Sequence, residues 1–233
     1  IRRGHVSGYV NDMRIDRLVF SDPASGVSAT VDGTCVGLPD IKQMIVDARV
    51  QDLQATTDGI SKLIAGIAPG TRVDLGRYAR DLPMTLQLTA KGPLDRLELG
   101  GELYTPEGTA AFDGDVRNLL AAGRPVEAAV NLSLHELDLG RILATDAVGP
   151  VSLRTRARAT LGKGLPNATV DTLHIEKVRA LGRDFSGIDV AGTFTDGTLD
   201  AQLHSSDPAV LIDLNALADL QPRDGGRRVR IRG

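Results

Sequence analysis

The sequence predicts a mostly β fold: an elongated, curved antiparallel β-sheet, a β-taco or open groove, built from repeats with short helices between units. Three observations predict it. The first is an internal repeat, in which Asp-Leu-Gly-Arg at Asp74 to Arg77 recurs at Asp138 to Arg141, and each copy leads through a proline (Pro83, Pro150) into an alternating run. A repeat that cannot bury its own apolar face stacks on its neighbours into an extended body. The second is alternation of apolar and polar residues along most of the chain, the pattern of half-buried strands. The third is composition: four Phe, three Tyr and no Trp leave an interior of Leu, Val, Ile and Ala, while 26 Gly and 11 Pro punctuate many short segments.

Taken in order, Val19 and Phe20, then Val27 to Val36, then Met44, Val46, Ala48 and Val50 supply at least three strands. Thr57-Asp58 followed by Ile60, Leu63, Ile64 and Ile67 has an N-cap donor and helical apolar spacing, and Pro69-Gly70 ends it, so a short helix is expected near 58–66. The two Asp-Leu-Gly-Arg copies read as single helical turns. Met84, Leu86, Leu88 and Ala90 form the next strand, and Leu97, Leu99 and Leu103 another beyond Gly92-Pro93. Ala110, Phe112 and Val116 follow, then Val126 to Leu134, then Val151 to Ala159, where Arg154, Arg156 and Arg158 make the opposite face cationic. Leu173 and Ile175, Ile188 to Phe194, Leu199 to Leu203, and Val210 to Ala216 are four more runs. Asp196-Gly197 between two of them is a tight hairpin turn, because Gly supplies positive φ without steric cost. These runs group into units at 1–70, 71–135 and 136–222, with 223–233 a basic tail or the start of another strand. A closed barrel, a sandwich or an open curved sheet would each answer what covers the apolar faces. The shortage of aromatics favours the curved sheet.

The balance of 27 basic and 30 acidic residues, net −3, offers no large field for nucleic acid, and no nucleic-acid partner is expected. Cys35 is alone, so no intrachain disulfide is expected. The chain opens at Ile1 without initiator Met or signal, and no run approaches the ~18 apolar residues of a membrane-spanning helix. It reads as an internal piece of a longer protein. No nucleotide loop, nucleophile elbow or zinc-protease motif is present, and no enzyme, cofactor or metal is expected. His174 and Glu176 would share a strand face as a two-ligand metal pair, but a solvated polar face accounts for them as well; His135 and His204 fall on polar positions too. Cys35, between Thr34 and Val36, suits a small apolar filler.

Gly37-Leu38-Pro39-Asp40-Ile41 with the strand to Leu53 and the helix after it resembles the middle region of TamB proteins, in particular the Bacteroidetes-like kind. Leu137 to Arg141, Gly149 to Leu153, Leu181 to Phe185, and Gly192 through Asp207-Pro208 to Leu220 resemble the AsmA-like repeat of the same superfamily. The resemblance runs over roughly 4–220. It implies the periplasmic part of an inner-membrane-anchored protein that reaches towards the outer membrane, with repeats whose apolar groove carries phospholipid between the membranes in outer membrane biogenesis. It also implies an alternative, a scaffold or chaperone for assembly or secretion of outer membrane β-barrel proteins. Implied partners are phospholipid acyl chains, neighbouring repeats of the same longer chain, and an outer membrane β-barrel protein. Alternation parity and aliphatic identity then select the groove lining: Leu86, Leu88, Leu97, Leu99, Phe112, Val130, Leu132, Leu153, Ile188, Val190, Phe194, Leu203, Ile212 and Leu214.

Overall fold

A computed structural model describes residues 3–67, 81–121, 123–161, 167–208, 210–219 and 228–232. Among the described residues fourteen strands belong to one antiparallel sheet, each paired with its neighbours in sequence, from β1 to β14. The first four are β1 (Arg3–Tyr9), β2 (Asp12–Asp22), β3 (Val27–Val36) and β4 (Ile45–Thr56), followed by helix α1 (Thr57–Ile67). Then come β5 (Pro83–Pro93), β6 (Arg96–Thr105), β7 (Gly108–Arg117) and β8 (Val126–Asp138), followed by α2 (Leu139–Leu143). The last six are β9 (Val148–Leu161), β10 (Asn167–Ala180), β11 (Arg183–Thr195), β12 (Thr198–Asp207), β13 (Val210–Asp219) and β14 (Arg228–Arg232). At ~4.8 Å per strand the sheet measures roughly 60 Å across, longer than its strands, and the first and last strands do not meet. It is open and elongated. Right-handed twist and a series of bulges curve it.

Most expected elements form. Asp196 (φ 49°) and Gly197 (φ 79°) make the tight turn between β11 and β12, and the last three arginines with the intervening Val229 and Ile231 form a strand, β14. Strand β1 had no counterpart in the sequence reading, and Met44 lies before β4 as the end of a 3₁₀ turn over Ile41–Gln43. The first Asp-Leu-Gly-Arg copy lies outside the described residues. The second shows what the motif does. Asp138 caps α2 by accepting the Arg141 backbone N–H, Arg141 reaches Glu107 at 3.1 Å, and a Cβ on Gly140 would stand 2.0 Å from the Val148 carbonyl oxygen. Only glycine lets this turn lie so close to β9. Both helices leave the sheet from the same end, α1 between β4 and β5 and α2 between β8 and β9, so the structural repeat is four strands long. The expected boundary near 135 falls inside β8, and β4 pairs with β5 across the one near 70.

The sheet is one layer. Total accessible surface is 15405 Å², against roughly 10,000 Å² for a compact chain of 24.6 kDa. Full burial is confined mainly to the end bearing the helices. Val27 (1 % exposed), Ala29 and Ala55 lie beneath or beside α1, and Leu137 and Val151 (3 %) lie beside α2.

Candidate functional site: an uncovered apolar face

In an antiparallel pair, residues directly opposite each other point to the same face. The register therefore assigns each side chain. One row runs Leu88, Gly101, Phe112, Leu132, Thr155, Leu173, Val190, Leu203, Leu214 through nine strands, each opposite the next. A second, nearer the helix-bearing end, runs Leu86, Leu103, Ala110, Leu134, Leu153, Ile175, Ile188, Ser205, Ile212. On the other side lies Ala90, Leu99, Gly114, Val130, Ala157, Val170, Gly192, Ala201, Ala216, and beyond it Leu97, Val116, Ala128, Ala159, Ala168, Phe194, Leu199, Ala218. All fourteen residues selected from the sequence fall in these four rows, on one face.

Bulges keep the rows continuous. The apolar positions change parity along β2 between Ile15 and Leu18, along β4 between Val50 and Leu53, along β8 between Leu134 and Leu137, and along β10 between Val170 and Leu173. At each place the register slips by one residue, so the side chains stay on the same face. Arg17, Asp52 and Glu136 take positive φ there, near 45° to 49°. Side chains accept freed backbone donors: Asp32 takes the Arg17 N–H at 2.8 Å, the Ser152 hydroxyl takes Glu136 N–H at 3.0 Å, and Asp207 takes Ser186 N–H at 2.8 Å next to Gly187, whose φ is 63°. This accounts for the burial of Ser152 and Asp207.

Among the described residues nothing covers the middle of this face. Its Leu, Val and Ile residues are half-buried by their row neighbours, and Val130 and Ile212 stay 38 % and 37 % exposed. The sequence selection missed Val31 and Val50, which continue the Leu88 row into β3 and β4, and Leu103, Leu134, Leu173, Ile175 and Leu199 within the rows. The same alternation marks them; only the register shows that they complete a surface.

The opposite face is polar and carries ladders of paired charge. Asp113 accepts from Asn131 (2.7 Å), which accepts from Arg156 (2.9 Å), across three adjacent strands. Arg158 meets Asp171 at 2.5 Å, which raises the arginine pKa. His174 lies 2.7 Å from Asp189, and His204 2.6 Å from Asp213, each pair cross-strand. A groove of about 800 Å³ on this face runs between side chains of β4 to β10, Arg49, Gln87, Glu102, Asn131, Arg154 and His174 among them. Glu176 pairs with Arg154 rather than with His174, and no metal-holding group of three or more His, Cys, Asp or Glu exists among the described residues. Cys35 sits opposite Met13 and Val46 on the apolar face. Among the described residues no helix is long and apolar enough to cross a membrane. No protein-family model, no curated protein and no solved structure matches this chain.

Proposed function

We propose that the chain is a central segment of a TamB/AsmA-like protein of the periplasm and that its apolar face holds phospholipid acyl chains in passage between membranes, without catalysis. The observation that carries this reading is the continuity of aliphatic rows over the sheet with no covering layer among the described residues. Acyl chains bind such a lining through area removed from water, ~25 cal/mol per Å², with no directional bonds. A lining of many shallow, similar contacts lets a chain shift from strand to strand, whereas one deep polar site would hold it. A second reading, a scaffold for outer membrane β-barrel proteins, draws on β1 and β14, each of which pairs on one side only among the described residues.

Photo-crosslinkers separate the two. Under the lipid reading, probes at Leu88 and Leu132 capture phospholipid, and extraction of the purified protein yields lipid by mass spectrometry. Capture of polypeptide at β1 or β14, with the face unlabelled, would replace it with the scaffold reading. Leu132→Arg should abolish lipid capture at Leu88 while leaving the circular dichroism of the fold in place; capture at the wild-type level would refute the lipid reading.

A further inference from the structure

The four rows of the apolar face carry no charged side chain, and their two hydroxyl residues are engaged with backbone. Thr155 donates to the Thr172 carbonyl at 3.0 Å and Ser205 to that of Val210 at 2.8 Å. A copy of this face laid on another therefore meets no like charge and buries no free hydroxyl. The rows also differ in height. Leu88, Phe112, Val190 and Leu203 stand in one row, and two residues away on the same strands the next row has Ala90, Gly114, Gly192 and Ala201. On β8 and β10 the step is smaller, from Leu132 to Val130 and from Leu173 to Val170. At β6 the order inverts, with Gly101 beside Leu99, but the Phe112 ring leans over Gly101, where a Cβ would stand 2.8 Å from it. A ridge of large side chains thus runs beside a furrow of small ones.

A two-fold axis lying along the rows, midway between ridge and furrow, sets each copy's ridge over the other's furrow, so that large side chains meet small ones. Over the nine strands from β5 to β13 the four rows span roughly 40 by 20 Å, about 800 Å² on each copy, the size of a stable interface. Twist crosses two such sheets at about 30°, and contact is closest at the middle strands. We propose that in the lipid-free chain the apolar face is covered by the same face of a second copy, in a two-fold dimer that seats the Leu88 ridge in the Ala90 furrow. Such association depends on concentration, and the dilute chain is the single sheet described above. The dimer stands on the face itself; its displacement by lipid rests on the lipid reading.

The test is sedimentation velocity of the delipidated chain over about a hundredfold range of concentration, in which a dimer should appear as concentration rises. Leu132→Arg, which puts an unpaired cation from each copy into the contact, should weaken it by about a hundredfold or more. Ala157→Leu with Ala201→Leu keeps the face apolar but fills the furrow. It should weaken the dimer about tenfold, while capture of phospholipid, whose chains conform to added methyls, stays at the wild-type level. Circular dichroism checks that both variants keep the sheet. Phosphatidylcholine vesicles should return the dimer to monomer. A delipidated chain that stays monomeric, with phospholipid still captured at Leu88, overturns the dimer and leaves the lipid reading standing. A dimer that vesicles leave intact, with no phospholipid captured, overturns the lipid reading and leaves the dimer standing. A dimer that persists while phospholipid is captured, one indifferent to the filled furrow, or assemblies that grow beyond two copies through β1 and β14 would each overturn the proposed contact.

Discussion

The residues that hold the apolar rows together are few, and several are polar. Ser152 is buried because its hydroxyl takes the backbone donor set free by the bulge at Glu136. Ser152→Ala leaves that N–H without its partner and should lower stability by about 1–3 kcal/mol in urea unfolding; a change within error would mean that another acceptor takes over. On the polar face, His204 has its pKa raised above 6.5, first by the hydrogen bond to Asp213 on β13, then by the charge of Asp213 and, more weakly, of Asp189 on β11. A raised pKa means that the folded chain holds this proton more tightly than the unfolded one. The stabilisation is complete below the ordinary histidine value and fades as pH rises through the raised value. In an NMR titration Asp213→Asn should bring the His204 ring back towards its usual pKa. An unmoved titration would remove Asp213 as the cause.

Among the elements, α2 shows how a four-letter motif specifies a turn. Asp138 caps it, Gly140 permits contact with β9, and Arg141 ties it to Glu107. Asp138→Ala should cost about 1 kcal/mol, the usual loss for a cap. Gly140→Ala should cost more, about 1–3 kcal/mol, since its Cβ would meet two carbonyl oxygens that belong to backbone and cannot swing aside. Thermal unfolding of both variants checks the order, and a cap loss larger than the glycine loss would contradict it. The glycine was visible in the repeat from its recurrence at Gly76 and Gly140, but its reason was not, because the approach of Val148 is set by the next strand.

At the scale of the whole molecule, a single layer changes what a core substitution means. Leu132 is only half-buried, so Leu132→Ala should cost about 1–2 kcal/mol, less than the ~3–5 kcal/mol of a fully enclosed leucine. Val151→Ala, at a site 3 % exposed beside α2, should behave like an enclosed core position despite its smaller side chain. If Leu132→Ala proved the more damaging of the two in denaturant, the middle of the face would have to be covered. Small-angle scattering should likewise give a radius of gyration above the roughly 17 Å expected for a compact chain of this length.

Alternation by itself determined that the chain is strands, which residues share a face within each unbroken alternating run, and where the short helix and the Asp-Gly hairpin lie, since these depend on neighbours one to four positions apart. It could not fix whether the faces agree across a break in phase within a strand. Val50 and Leu53, or Leu134 and Leu137, have opposite parity, and in an unbroken strand they would point to opposite sides. The tertiary structure decided this, because a bulge exists only in relation to the partner strand, and each one turns a break in phase into a continuous row. It also chose the open sheet over the barrel and the sandwich. That choice rests on whether the outer strands meet and whether a second layer folds back, and both are contacts between residues far apart in the chain, on which local periodicity is silent.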